Sequence, residues 1–285
     1  MRLKTTLVSL LLLLCPCALC YGQLRFASVG GESGYSAMRA QYTGDLDNGW
    51  ILIPQYGYYR MSDRDPEDAG STSRYGLEVQ RELTDNFSLL AETVLQPQAL
   101  GYEGIIYNAG AQWNPFYYWA GFKHPQLKAK FGQARARSYV NNQGQDLPDG
   151  AFRQVGTQME LSTSVDIKTR WLLQATWQKV LKYSSRVPRD VTFSWAEVPY
   201  MTAVLQGYIK DSLAARVNYQ TDLLTPYVAV VRYHYDVRRA VSTAVSAGIH
   251  VNLWGTDVTG GIEIFEPRHD ENRRTYFSLS VEAPL

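Results

Sequence analysis

Alternation of apolar and polar residues with a period of two dominates this 285-residue chain and limits what it can fold into. In residues 72–83, Tyr75, Leu77 and Val79 alternate with polar residues or glycine, and residues 241–253 repeat the pattern. No long segment carries apolar residues at the i, i+3, i+4 spacing of an amphipathic helix. Such alternation predicts β-strands with one apolar face, so we expect an all-β protein.

The predicted strands are long, and their apolar faces carry no charge. Several run to about ten residues, beyond the roughly five to six typical of soluble sheets. A tilted strand of about 9–11 residues crosses a bilayer within a barrel, with its apolar face on lipid and its polar face on the lumen. The alternative is a soluble secreted β-sandwich, whose strands also alternate because one face is buried.

The placement of aromatic and polar residues favours the barrel. Tyr219 and Tyr227 flank the segment 221–226, and Trp171 and Trp177 bracket another predicted strand. Tyr and Trp prefer the headgroup region of a bilayer, so these positions are typical of interfacial aromatic girdles. The polar faces are rich in Gln, Ser, Gly, Asn and Thr, which is expected for a wetted lumen.

The last segment alternates to the final residue, with Phe277, Leu279, Val281, Ala283 and Leu285 on one face. This pattern resembles the assembly signal of bacterial outer-membrane β-barrel proteins, although those proteins usually finish on Phe or Trp. The resemblance implies an all-β, antiparallel up-and-down transmembrane β-barrel, porin-like, in a Gram-negative outer membrane. It also implies contact with outer-membrane lipids, lipopolysaccharide and the barrel assembly machinery.

With both termini in the periplasm, the alternating segments predict about 14 to 16 strands, or about 12 if short segments merge. Short periplasmic turns are expected at residues 83–86 and 165–169. The longest predicted loop, 138–151, is a candidate to fold inward and constrict the lumen, and the alternative is a mobile surface loop. The segments expected to form extracellular loops are 62–71, 97–104, 138–151, 183–190 and 266–274.

The first 22 residues have the pattern of a signal peptide. Arg2 and Lys4 precede an apolar run that is shorter than the ~20 residues of a membrane-spanning helix, and small residues suit cleavage after Cys20 or Gly22. An uncleaved anchor and a lipoprotein acylated at Cys20 are the alternatives. All three cysteines lie in this segment. The predicted mature domain, residues 23–285, therefore has no disulfide and must be stabilised by its core or by sheet closure.

Composition excludes some classes of protein and partner. The formal net charge is +1, which gives no electrostatic reason to expect nucleic acid as a partner. Aromatic residues make up 13% of the chain, which argues against a disordered protein.

Charged residues on the predicted polar faces are the candidates for setting ion selectivity, because pore selectivity depends on charges near a constriction. The one local excess is the basic group from Lys128 to Arg153, for which we expect a preference for anionic solutes. The alternatives are a balanced lumenal network or contacts with lipopolysaccharide phosphates. The lumen candidates are Lys128, Lys130, Arg135, Arg137, Arg153, Arg170, Arg216, Arg232, Glu78, Glu92 and Glu160. Arg74 is also expected on the lumenal face.

The segment 227–235 also alternates, with its tyrosines on one face. We expect Tyr227, Tyr233 and Tyr235 to face lipid, and Arg232 and His234 to face the lumen.

Motifs for catalysis or metal binding are missing from the sequence. No His-x-Ser, Gly-x-Ser-x-Gly or His-Glu-x-x-His motif occurs. His234 and His250 are both expected in the lumen, but His234 is predicted to lie opposite Ala244, which leaves His250 about 20 Å away. We therefore expect no enzyme, no cofactor and no metal site.

A barrel of this size can enclose an aqueous channel. We expect passage of small polar or charged solutes, or of an exported polymer, across the outer membrane. Two alternatives stay open at this point. One is an outer-membrane lipid-modifying enzyme or structural barrel with a closed lumen, and the other is a soluble secreted β-sandwich that binds a ligand.

Overall fold

The structure is a computed structural model that describes residues 22–284, apart from 47, 62–69, 100, 116–121, 140–145, 148–149, 169, 186–208, 236–240 and 267–272. The predicted signal peptide lies outside the described residues, except for Gly22. Within the described part of the chain, no helix is long and apolar enough to cross a membrane.

The described residues form fourteen β-strands and one 3-10 turn at Glu32–Gly34. The strands are β1 (Gly22–Gly31), β2 (Ser36–Leu46), β3 (Trp50–Met61), β4 (Gly70–Thr84), β5 (Phe87–Ala99), β6 (Tyr102–Trp113), β7 (Phe122–Ser138), β8 (Phe152–Ile167), β9 (Trp171–Tyr183), β10 (Ile209–Tyr219), β11 (Thr225–Tyr235), β12 (Val241–Leu253), β13 (Thr256–Glu266) and β14 (Arg274–Pro284).

All fourteen strands belong to one closed antiparallel barrel. Each strand pairs with its neighbours in sequence, and β1 closes the sheet by pairing with β14, for example at Gln23 opposite Pro284. Closure leaves no free sheet edge, so every strand can satisfy its backbone hydrogen bonds inside a bilayer. The prediction of an all-β up-and-down barrel is confirmed, fourteen strands fall within the predicted range, and the β-sandwich is excluded.

The two ends of the barrel differ in the length of their connections. At one end the strands are joined across residues 62–69, 139–151, 184–208, 236–240 and 267–273, and at the other mostly by short turns such as residues 85–86 and 254–255. In membrane barrels the long connections are extracellular and the short turns periplasmic. We use these two names for the two ends.

Two predicted connections are wrong in extent. Residues 97–104 are not an extended loop, because β5 continues to Ala99 and β6 begins at Tyr102, with Gly101 at a φ of 74°. The predicted turn at 165–169 begins later, because β8 continues to Ile167. The longest connection is 184–208, rather than the predicted 138–151. The turn at Asp85 and Asn86 is confirmed.

The outer surface of the barrel is an apolar belt. Outward residues such as Phe26, Leu77, Phe131, Leu213 and Phe277 are all between 41% and 62% exposed. An uncharged belt of this kind is stable only against lipid. Aromatic residues mark its periplasmic border: Trp50, Trp113, Phe122, Trp171, Tyr219 and Trp254.

The facing of β11 is the reverse of the prediction. Tyr227, Tyr233 and Tyr235 point into the barrel and are buried, whereas Val228 and Val230 are exposed outside. Both faces of this strand are apolar, so alternation alone does not show which face meets lipid. The ring of Tyr233 lies 5.3 Å from that of Tyr235 and 6.2 Å from that of Phe265, which holds the tyrosine inside the barrel.

An apolar cluster therefore fills part of the lumen at the extracellular end. Its residues come from β1–β3, from β10–β14 and from the β1–β2 connection, and they are packed as in a soluble core. The filled region narrows the lumen on this side of the barrel. The members are Val29, Tyr35, Ala37, Tyr59, Ile209, Ala214, Val231, Tyr233, Tyr235, Ala244, Phe265 and Tyr276.

Candidate solute pathway through the barrel

A cavity of about 600 Å³ lies inside the barrel. Every one of the fourteen strands contributes at least one residue to its wall, from Arg25 on β1 to Ser280 on β14. A cavity surrounded by the whole sheet is the barrel lumen rather than a surface cleft. Its volume is in the range of small-molecule sites, about 300–1,000 Å³.

One wall of the lumen carries paired charges. Glu78 on β4 lies 2.8 Å from Lys128 and 2.9 Å from Lys130, both on β7. Lys130 also lies 3.2 Å from Glu92 on β5. The curvature of the closed sheet and the inward direction of these side chains bring Glu78 and Lys128 together, although they are fifty positions apart in sequence. The two lysines are thereby neutralised locally and present little net charge to a passing solute.

Amide side chains extend this network around the wall. Asn108 Nδ2 donates to Glu92 over 2.8 Å, and Gln158 Nε2 donates to Asn108 over 3.2 Å. Gln178 Nε2 donates to Glu160 over 2.8 Å. Buried polar groups that are satisfied in this way rigidify a structure. The carboxylates that line the cavity are therefore occupied by donors from the protein itself.

Four arginines line the cavity on other strands: Arg25, Arg39, Arg74 and Arg216. Arg39 on β2 and Arg74 on β4 both lie directly opposite Gly57 on β3, so they flank the same position. The guanidinium of Arg39 lies 5.6 Å from the ring centre of Tyr59, which folds back over Gly57.

Two of these arginines, Arg25 and Arg74, are less neutralised than the lysines. Arg25 is 4.0 Å from Glu282, and the two side chains are 51% and 35% exposed, so this pair is weak. Within the described part of the chain, Arg74 forms no ion pair with a carboxylate. Arg25 and Arg74 therefore keep more of their charge than Lys128 and Lys130 do.

Arg216 is held on an aromatic platform. Its guanidinium lies 3.9 Å from the ring centre of Tyr227, and its Nε donates to Asn218 Oδ1 over 2.8 Å. The Tyr227 ring lies across Gly248 on β12 and Gly261 on β13, where a Cβ atom would collide with it. The two glycines thus leave room for the ring, and the ring positions the cation toward the cavity.

Six of the eleven lumen candidates lie on the inward face, and for five the predicted inward position is wrong. Lys128, Lys130, Arg216, Glu78, Glu92 and Glu160 face inward. Arg135, Arg137 and Arg153 face outward, because the inward positions of β7 are the buried Ala134 and Ala136 and Arg153 is directly opposite Arg137.

The other two wrong positions have different causes. Arg232 faces outward, because the facing of β11 is the reverse of the prediction. It lies opposite Leu213, which is 57% exposed on the outside. Arg170 lies in the periplasmic turn before β9, where its Nη1 donates to the hydroxyl of the outward Tyr219 over 3.2 Å.

The sequence-based candidates omit Arg25, Arg39 and Tyr227. Arg25 is flanked by Leu24 and Phe26, an alternation that places it on the polar face of β1, so the signal was present in a segment too short to assign alone. Arg39 is likewise flanked by Met38 and Ala40. The role of Tyr227 carries no such signal, because it depends on glycines in other strands.

His234 and His250 do not form a site together. His234 faces outward, with Nδ1 2.6 Å from Asp211, whereas His250 faces inward, with Nδ1 3.0 Å from Thr259. His234 pairs with Val241 rather than the predicted Ala244, so the predicted register is wrong by three residues. The described residues contain no group of three or more potential metal ligands among His, Cys, Asp and Glu.

Known structures share this architecture. CdiB from Acinetobacter baumannii matches with a TM-score of 0.50 at 10% identity, over 92% of this chain and 60% of that one. The match is one of fold, a closed antiparallel β-barrel.

Two further known structures match with lower TM-scores. The outer membrane protein OprD from Pseudomonas aeruginosa has a TM-score of 0.43 at 10% identity, with 93% of each chain covered. A mutant of the Rh. blastica porin has a TM-score of 0.43 at 11% identity, over 93% of this chain and 99% of that one. No family model and no curated protein sequence matches the chain. At these identities, the similarity of the barrel to other proteins is one of fold alone.

The aromatic platform can be tested with one substitution. In Gly261→Ala, the new methyl group collides with the Tyr227 hydroxyl, so the ring must move and Arg216 loses its cation–π contact. In a planar bilayer, we expect the permeability ratio of chloride to potassium to fall by about twofold to fivefold, in line with the roughly 0.5–1 kcal/mol of such a contact.

The matched control is Gly260→Ala, the adjacent position on β13, where an added Cβ meets open space. This control is expected to have the same permeability ratio of chloride to potassium as the unchanged protein. Equal ratios for the two variants would show that the platform does not position Arg216.

Proposed function

We propose that this protein is an outer-membrane channel for small anionic solutes. The observation that carries the proposal is the set of four arginines, Arg25, Arg39, Arg74 and Arg216, around a cavity lined by every strand of the barrel. Charges of one sign on a narrow wall of low dielectric raise the local concentration of the opposite ion.

The neighbouring carboxylates do not cancel this field. Glu92 and Glu160 accept hydrogen bonds from Asn108 and Gln178, and Glu92 also pairs with Lys130. Lys130 offsets the charge of Glu92, and Glu160 keeps its charge while it accepts a hydrogen bond from a neutral amide. Arg74 keeps no ion-pair partner among the described residues. A small anion in the cavity gains more from the arginines than it loses to the carboxylates.

The cavity volume supports small solutes rather than a polymer. About 600 Å³ holds a small organic anion with some water, and the apolar cluster narrows the lumen further at the extracellular end. An extended polymer needs a wide continuous channel, which barrels of about 16–18 strands provide more readily than one of fourteen.

The proposal includes export by the N-terminal segment and delivery to the outer membrane by the barrel assembly machinery. Gly22 already belongs to β1 and pairs with Gly44, which supports cleavage after Cys20 over cleavage after Gly22. The belt of exposed apolar residues and the aromatic border support a membrane location.

The proposal is tested by measuring ion conductance across a bilayer. The mature chain, refolded and inserted into a planar phosphatidylcholine bilayer with a potassium chloride gradient, is expected to give discrete conductance steps and a reversal potential of the sign for chloride preference. A reversal potential of the opposite sign would overturn the anion preference. A correctly folded barrel without conductance steps would overturn the channel, and release of fatty acid from added lipid would then favour the lipid-modifying enzyme.

A further inference from the structure

Three arginines cluster on the outer surface near the extracellular end. Arg135 and Arg137 lie on β7 and Arg153 on β8, with Arg137 directly opposite Arg153. Lys182, on the outward face of β9, adds a fourth cation nearby, opposite Thr157. We call these four residues the outer basic patch.

The positive charge of the outer basic patch is not balanced by the described part of the protein. Like charges directly opposite each other destabilise a sheet, so the Arg137 and Arg153 pair has a cost. Glu103 is the one described carboxylate in contact, 3.1 Å from Arg137, with the two side chains 32% and 47% exposed. Arg135 and Arg153 form no ion pair with any described carboxylate. This arrangement suits an external anion.

The outer basic patch lies where the apolar belt ends. Phe131, 56% exposed, is the outward residue four positions before Arg135, about 13 Å along the strand. Leu161 and Tyr107, 43% and 47% exposed, continue the belt beside it on β8 and β6. Cations above an apolar belt match an amphiphile with its charged headgroup at the border and its acyl chains along the belt.

We propose that the outer basic patch is a binding site for the phosphate groups of a lipid headgroup, namely those of lipopolysaccharide in the outer leaflet. Guanidinium groups bind phosphate oxygens through two parallel hydrogen bonds, which several arginines can do together. The phosphates bind between Arg135, Arg137 and Arg153, and the acyl chains pack on Phe131 and Leu161. This site is independent of whether the lumen conducts.

The experiment compares lipid binding by two variants with equal charge change. The full mature chain, folded in neutral detergent, is titrated with diphosphoryl lipid A by microscale thermophoresis. The patch variant is R135Q/R137Q/R153Q, and the control is R81Q/K168Q/R170Q, which removes three cations from the periplasmic side of β4 and the β8–β9 turn. Heat-modified mobility on a gel confirms folding of both.

Each cation near an anionic lipid surface contributes about a fivefold factor. The patch variant is therefore expected to bind diphosphoryl lipid A about a hundredfold more weakly than the unchanged protein, and the control within about threefold of it. Dephosphorylated lipid A is expected to bind all three proteins weakly. Affinity of the unchanged protein is also expected to fall steeply between about 50 mM and about 500 mM sodium chloride.

Several results would overturn the proposal. Equal affinity of the patch variant and the unchanged protein would do so, as would equal binding of dephosphorylated lipid A. Displacement of the lipid by an equimolar amount of inorganic phosphate would identify a free-phosphate site instead. If the patch variant does not fold, affinity of the unchanged protein that is independent of salt would also reject the site.

Discussion

Replacing Arg25, Arg39, Arg74 and Arg216 together with glutamine is expected to abolish the anion preference of the channel. These residues place four positive charges on the cavity wall, and the substitutions leave Glu92 and Glu160 in place. The permeability ratio of chloride to potassium, measured from the reversal potential in a salt gradient, is expected to fall on the order of tenfold. The conductance steps themselves are expected to persist, because glutamine is smaller than arginine.

The matched control changes four other arginines, in R135Q/R137Q/R153Q/R232Q. These side chains lie on the outer surface, where the membrane and the sheet separate them from the permeating ion. In a bilayer of neutral lipid, this variant is expected to have the same permeability ratio of chloride to potassium as the unchanged protein. A large shift in the outer variant, with none in the lumenal one, would contradict the assignment of selectivity to the cavity arginines.

Replacing Glu78 with glutamine is expected to be the most destabilising single change to the lumen wall. Glu78 is 4% exposed and lies within 2.9 Å of the ammonium groups of both Lys128 and Lys130. Removing one partner from a buried ion pair typically costs about 3–5 kcal/mol, because the remaining charge is left without compensation. Equilibrium unfolding in urea, in lipid vesicles, measures the change in the free energy of unfolding.

Glu82→Gln on the same strand and the same face is the control for Glu78→Gln. Glu82 is exposed at the periplasmic end, so its replacement is expected to change the free energy of unfolding by less than about 0.5 kcal/mol. The double variant E78Q/K128Q is expected to recover part of the loss, because Lys130 still pairs with Glu92. A loss for Glu78→Gln no larger than for Glu82→Gln would show that the network does not stabilise the barrel.

The ion-paired residues and the arginines have different roles in the lumen. Glu78, Lys128 and Lys130 satisfy one another and hold β4 and β7 in position. Arg216 is positioned by an aromatic ring instead, and it lines the cavity. Counting lumenal charges by sign therefore gives little information about selectivity, because the partner of each charge decides what the solute encounters.

The outward and inward residues of some strands could be predicted from the sequence, because only one face of those strands is apolar. In β4, β12 and β14 the apolar positions form one uninterrupted face, so the outward and inward residues are assigned correctly. In β7 the same alternation continues, but Arg135 and Arg137 replace apolar residues where the strand leaves the apolar belt. Polarity then misleads, because an outward residue at the membrane border is charged while the inward Ala134 and Ala136 are apolar.

By itself, the sequence determined that this chain forms long strands and about how many, because a period of two is a local property of each strand. It favoured a barrel over a β-sandwich, but only the structure showed that the strands close. Only the tertiary structure decided which face of β11 meets lipid and which distant side chains meet in the lumen. A period of two defines two faces but does not say which one is inside when both are apolar. That choice depends on the neighbouring strands, on the space that Gly248 and Gly261 leave for Tyr227, and on the closure that brings Glu78 to Lys128.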